Sequence, residues 1–311
     1  MPLEGIIAHG GAVRRPVHYT GELMTSRGST IATLLVSGQD RRGLVAALAQ
    51  VLYGHGANIL QADQYTDADA GQFFQRISFD LSESHTDRNA VEHAISEVAG
   101  RMGLVFRLAY AEAKKGLALF VSRYGHCLYD LLWRHRLGEL DCTIRVVVAN
   151  HPDLEEVARQ FGVPFHFVPV RPDDKRNAEA QQHDILASYG VDLVVFARYM
   201  QIVSSEFLEH YQNRIINIHH SFLPAFVGQK PYHQAHARGV KLIGATAHYA
   251  TAELDEGPII EQDVARVSHR ETIDDLVRKG RDLEKVVLAR AVRLHIEDRV
   301  LVHGNKTVVF E

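Results

Sequence analysis

The spacing of apolar residues divides the chain into two stretches with different rhythms. Between residues 31 and 109, alternating apolar and polar positions predict strands at 31–37, 58–66, 72–81 and 104–109. Leu44, Val45, Leu48, Val51 and Leu52 recur at helical spacing and are closed by Gly54 and Gly56, and a second amphipathic helix is expected over 89–102. The order βαββαβ is the ferredoxin-like split plan. From residue 117 the pattern changes to strands at 117–122, 144–149, 165–168 and 191–197, alternating with helices at 128–137, 154–161 and 176–189. The run 191–197 is apolar enough to be buried on both faces. This alternation predicts an α/β unit, a doubly wound and mostly parallel sheet, with ligands bound beyond the carboxyl ends of its strands. A helix at 232–238, strands at 240–250 and 259–265, a helix over 272–298 with Glu and Arg/Lys on exposed faces, and a final edge strand at 306–310 complete the reading. Residues 1–29 have no clear period and read as an irregular extension. Lys114-Lys115-Gly116 marks the boundary between a unit at 30–113 and a unit at 114–311.

Composition narrows the class. Of 311 residues, 46% are hydrophobic and 23% charged, a globular balance, and the net charge of −4 gives no basis for nucleic-acid binding. No apolar run reaches the ~20 residues that span a bilayer, and the start of the chain lacks a signal pattern, so a cytoplasmic protein with no membrane partner is expected. Two cysteines, Cys127 and Cys142, fit a reducing compartment better than a disulfide scaffold. Neither G-x-G-x-x-G nor G-x-x-x-x-G-K-[ST] occurs. The turn Ser122-Arg123-Tyr124-Gly125-His126 stands where a dinucleotide fold would place its glycines, so a nicotinamide or ATP cofactor is not expected.

Candidate chemistry concentrates at residues 214–228, RIINIHHSFLPAFVG. Strand alternation puts Asn217 and His219 on one face and Ile216 and Ile218 on the other. An amide and an imidazole aimed at one spot can donate to a developing oxyanion, or can simply cap the strand. His248 lies in the strand at 240–250, with a structural or a supporting role open to it. Asp255 precedes Gly257-Pro258, as a turn-former or a catalytic carboxylate. His220, His233 and His248 with Asp255 contain enough donors for zinc. The His-Glu-x-x-His and Cys-x-x-Cys spacings are absent, so no metal is expected. With 19 histidines in the chain, no single one stands out by type alone.

Two resemblances follow from these residues. The Asp40-Arg41-x-Gly43 turn and the Gly54-x-Gly56-x-Asn58-Ile59 helix exit make residues 30–113 similar to an ACT domain, a small regulatory module. This implies an amino-acid effector near Asp40, Gly43 and Asn58, or a unit that only mediates oligomerisation. Asn217-Ile218-His219-His220-Ser221-Phe222-Leu223-Pro224 with Asp255-Glu256-Gly257-Pro258 resembles the folate-dependent formyltransferase family. The doubled His219-His220, the run Gly228-Gln229-Lys230-Pro231-Tyr232-His233-Gln234-Ala235 and the N-terminal ACT unit are similar to that family's deformylase branch. The likeness runs from about Ile31 to Glu311. Departures at Gly125-His126-Cys127-Leu128 and Gly38-Gln39 touch the site mouth and the effector region, not Asn217, His219 or Asp255.

The resemblance implies hydrolysis of 10-formyltetrahydrofolate to formate and tetrahydrofolate, balancing the one-carbon pool and supplying formate for purine synthesis. Asn217, His219 and Asp255 would be catalytic. Arg198, Tyr199, Met200, Gln201, Ile202 and His248 would bind the folate substrate, with no cofactor. Methionine or glycine are the candidate effectors, and a homo-oligomer is expected. A transferase that passes the formyl group to an amine, and a non-catalytic amino-acid sensor, are the competing functions.

Overall fold

The computed structural model describes residues 30–84, 86–225 and 231–311. The extension expected over 1–29, and Gly228, Gln229 and Lys230 of the second motif, lie outside the described residues.

The first unit is β1 (Ile31–Gln39), α1 (Leu44–Gly54), β2 (Asn58–Asp67), β3 (Gln72–Asp80), α2 (Arg88–Met102) and β4 (Leu104–Tyr110). Its antiparallel sheet has the order β2-β3-β1-β4. Alternation along β1 decides what each face meets. Leu34 and Val36 pack with Leu48 of α1 and Ile95 of α2. Leu35 turns the other way and meets Phe74 and Phe310.

The second unit runs β5 (Gly116–Val121), α3 (His126–Arg136), β6 (Thr143–Ala149), α4 (Glu155–Gln160), β7 (Phe165–Phe167), α5 (Lys175–Ser188), β8 (Leu193–Phe196), α6 (Ser205–His210), β9 (Ile215–His219), α7 (Pro231–Arg238), β10 (Leu242–Tyr249), β11 (Ile259–Arg266) and α8 (Ile273–Ile296). The seven strands lie in the order β11-β10-β9-β8-β5-β6-β7. Pairs from β9 to β7 are parallel, and β10 and β11 are antiparallel additions. Every residue of β5 and β8 is buried, as a sheet covered on both faces requires. Leu117, Leu119 and Val121 face α3 and α8, while Ala118 and Phe120 face α5 and α6.

Strand order reverses at β5, with β6 on one side and β8 on the other, so a crevice opens at their carboxyl ends. A hydrogen-bond chain holds that crevice. The Met200 N–H donates to Ser122 Oγ at 2.9 Å, and Ser122 Oγ donates to Asn150 Oδ1 at 2.7 Å.

Three elements differ from the reading of the pattern. α6 was not expected; it is short and starts on a Ser204 cap that accepts from the Phe207 N–H. The stretch 306–310 is not an edge of the main sheet. It forms β13 (Lys306–Val309), which pairs with β12 (Val300–His303) in a separate hairpin. The hairpin's Leu301 and Val308, with Phe310 just beyond it, cover the second face of the first unit's sheet. α8 also buries polar residues, Glu284 and His295, within what looked like an exposed charged pattern.

The seam between the units is ionic as well as apolar. Arg76 Nε donates to the Asp298 carbonyl at 2.9 Å and Arg107 reaches the Asp298 carboxylate at 3.0 Å, while Lys115 holds the same carboxylate from within the second unit at 2.7 Å.

Candidate active site

β9 delivers Asn217 and His219 to the carboxyl edge of the sheet, and β10 brings His248 opposite Asn217 in register. The loop after β9 is fixed from β10 and β11. The Leu223 N–H donates to Thr246 Oγ1 at 3.1 Å, and Gln262 Nε2 donates to the Leu223 carbonyl at 3.2 Å. Asp255 arrives on the loop between β10 and β11, with its backbone in the left-handed region at φ 60°. Gly257 closes that loop against β10. A Cβ there would lie 1.8 Å from the Tyr249 carbonyl oxygen, so no larger residue permits the approach. The Tyr249 N–H then donates to the Pro258 carbonyl at 2.9 Å.

These elements converge on one ion-paired constellation. His219 Nδ1 lies 3.1 Å from Asp255 Oδ1, and His248 Nε2 lies 3.8 Å from the same oxygen. His219 Nε2 is buried and has no partner within the protein. His248 Nδ1 lies 3.0 Å from the Tyr249 carbonyl, which can only accept, so Nδ1 carries the hydrogen. The Nε2 lone pair of the neutral ring is then free to accept from Asn217 Nδ2 at 3.2 Å. That contact turns the Asn217 amide so that its second N–H remains available. Burial pushes the Asp255 carboxyl up, but the hydrogen bond from His219 outweighs it and holds the group well below the ordinary carboxylate range. Asp255 is therefore an anion beside the His219 ring.

The constellation lies in a cavity of about 320 Å³, a volume within the usual range for small-ligand sites. Met200, Ile202, Val203, Leu208, Ala252 and Leu254 give it an apolar wall, while Arg198, His219 and His220 give it a polar one. Tyr199 and Gln201 also line it. The Tyr199 side chain is buried in the core beneath, with its hydroxyl bonded by Gln182 Nε2 at 2.9 Å. The Met200 amide is held by Ser122, so of the backbone groups here that one is not free for a ligand.

Among the described residues, the one convergent group of metal-type donors is His126, Cys127 and Glu284. The set of His220, His233 and His248 with Asp255 does not converge, because His233 lies on α7 over a different depression. Glu284 is already engaged by hydrogen. The Tyr232 hydroxyl and His126 Nε2 each lie 2.7 Å from its carboxylate, and Arg198 Nε lies 3.4 Å from it. Burial pushes the Glu284 carboxyl up, while His126, Arg198 and Tyr232 hold it below its ordinary value.

A formyl transferase family model matches residues 115–292, and an ACT domain model matches residues 32–104. The chain is 53% identical over 279 residues to a formyltetrahydrofolate deformylase of Synechocystis sp., covering 90% of this chain and 98% of that one. It is 48% identical to the Bacillus subtilis protein of the same name, covering 89% of this chain and 93% of the other. A crystal structure of a formyltetrahydrofolate deformylase from Pseudomonas syringae pv. tomato superposes with a TM-score of 0.89 at 47% identity, covering 92% of this chain and 96% of that chain.

The chain belongs to the formyltetrahydrofolate deformylase family.

Deformylase membership frames the remaining expected residues. Asp40 and Gly43 line one shallow depression of about 450 Å³ with Gln64, Thr66 and Phe73. Asn58 does not join them within one chain. It starts β2 opposite Asp80, whereas Gln39 lies at the Asp67–Gln72 end of the same sheet. Behind the cavity, His126 of the turn at the site mouth and Tyr232 of the second motif meet on Glu284, which the sequence reading did not single out. Glu284 carried a signal, since Gly280, Glu284, Val287, Leu288, Ala291 and His295 recur at helical spacing and form one buried stripe.

Proposed function

We propose that this chain hydrolyses 10-formyltetrahydrofolate with Asn217, His219 and Asp255 as its catalytic residues. The observation that carries the reading is the buried His219 ring, ion-paired to Asp255 on one nitrogen and unpartnered on the other. The pterin lies along the apolar wall that Met200 and Ile202 build, with Tyr199 and Gln201 around it and His248 behind Asn217. The formyl oxygen faces the second Asn217 N–H and His219 Nε2–H. Water adds to the formyl carbon. Its proton passes to Asp255, and the oxygen that becomes negative is held by the two donors. The carbon–nitrogen bond then breaks, and the leaving nitrogen takes a proton returned from Asp255 or His219. Formic acid loses its proton to solvent, so one water yields formate, one proton and tetrahydrofolate. Every step has a proton donor or acceptor among the chain's own residues, and the reading assigns no cofactor.

The first unit acts as the regulatory part, with an amino acid at the depression beside Asp40 and Gly43. Arg76 and Arg107 on Asp298 connect that unit to the carboxyl end of α8. The same helix carries Glu284 to the edge of the site. The hydrolase reading is tested by formate release from 10-formyltetrahydrofolate with no amine present. Turnover is expected, and its absence until an amine is added would replace the hydrolase with a transferase.

A further inference from the structure

The backbone of Arg198 is left-handed, at φ 66°. A non-glycine residue is strained in that region, whereas glycine adopts it freely. The position follows Ala197 at the carboxyl end of the central strand, where glycine would serve the backbone better. The side chain is therefore what the site uses.

That side chain is held from behind. It is only 10% exposed, its Nε makes an ion-pair contact of 3.4 Å with Glu284 Oε2 but no hydrogen bond, and its guanidinium carbon lies 5.6 Å from the centre of the Tyr124 ring. The Glu284 side chain is 1% exposed and also accepts from Tyr232 and His126. A carboxylate so deeply buried persists only when it is fully paired. Tyr232 is seated on Gly280, where a Cβ would lie 1.9 Å from the tyrosine oxygen. In front, the His220 ring stands 5.1 Å from the His219 ring and 6.0 Å from that of Tyr232. Burial and the Arg198 charge push His220 down to about 4, so it stands in the wall as a neutral ring. No step of the hydrolysis uses any of these groups.

The cavity thus has an apolar wall suited to a flat heterocycle and a filled polar wall beside His219. A nucleophile must reach the formyl carbon from a side that the heterocycle leaves open. We propose that Arg198, ion-paired with Glu284, reserves that approach for water by occupying the space a substituted amine would need. Arg198 is thereby the residue that determines specificity, and Glu284 positions it. The inference rests on the hydrolase reading above. With the wall removed, an amine adds in place of water. Its nitrogen bonds to the formyl carbon and loses a proton to the site, the bond to the folate nitrogen breaks, and that nitrogen gains a proton. The products are an N-formyl amine and tetrahydrofolate.

The test uses the full-length protein with 10-formyltetrahydrofolate and glycinamide, and measures formate and formylglycinamide together. The wild type is expected to give formate with only a trace of formylglycinamide, which sets the reference ratio. Arg198→Gly, which relieves the backbone as it removes the wall, is expected to raise the ratio of formylglycinamide to formate by about tenfold or more, the scale of steric discrimination in a pocket. Glu284→Gln should move the same ratio in the same direction by a smaller factor. Thermal unfolding establishes that each variant is folded. An unchanged ratio in a folded, active Arg198→Gly would overturn the proposal. So would folded variants that lose hydrolysis without gaining transfer, because Arg198 would then serve hydrolysis itself. A wild type that releases no formate without amine would instead remove the hydrolase reading.

Discussion

The Asn217 side-chain nitrogen donates to His248 Nε2 across 3.2 Å, and this contact orients the amide that faces the cavity. Removing an oxyanion donor typically costs ~10²–10³ in rate. Asn217→Ala is expected to lose that much kcat. His248→Ala is expected to lose less, because the amide remains but can turn. The double variant should be no worse than Asn217→Ala, since both changes act on one donor. Steady-state kinetics on the three proteins check this, and strictly additive losses would mean that His248 acts independently of Asn217.

Gly280 provides a separate check on the packing behind the site. A methyl group there meets the Tyr232 hydroxyl, which must then leave Glu284. Gly280→Ala is expected to destabilise the protein by about 1–3 kcal/mol, the usual cost of overpacking, despite the better helix propensity of alanine. Chemical denaturation measures it, and a stabilised variant would show that Tyr232 has room to move.

Buried neutral histidines make stability depend on pH. Burial, followed by the charges of Lys115, Arg107 and Arg214, pushes His295 down to about 3, while its Nδ1 sits 2.7 Å from the Tyr249 hydroxyl. An unfolded histidine titrates near ~6.5. Below that value the unfolded chain binds a proton that the folded chain refuses, so stability falls as pH drops from about 6.5 toward the folded value. His295→Gln retains a hydrogen-bond partner for Tyr249 and removes the titration. Its unfolding free energy should fall less steeply over this acid range than that of the wild type. Parallel slopes would show that His295 does not contribute.

Much of the fold was legible because its strands and helices are locally consistent. Leu34 and Leu35 on opposite faces of β1, and the all-buried β8, follow from period alone. The Asn217 and His219 pair was legible for the same reason. The fate of residues 306–310 was not, because an alternating strand does not announce whether it joins a large sheet or covers a small one. Asn58 and Asp40 looked adjacent in motif but lie toward opposite ends of one sheet, a relation set by pairing register. Glu284 was hidden by its type, since a glutamate in a long helix is ordinarily solvated. Its depth depends on Tyr232, His126 and Arg198, which arrive from three other elements.

The ion pair between His219 and Asp255 remains the centre of the proposed chemistry. Asp255→Asn keeps the shape of the side chain and removes its charge, so it cannot take a proton from water. The decisive measurement is acceptor-free formate release by wild type and Asp255→Asn, with folate binding followed in parallel. The wild type is expected to turn over, and the variant to lose ~10²-fold or more in kcat while still binding the folate. A folded Asp255→Asn that releases formate at the wild-type rate would contradict the assignment.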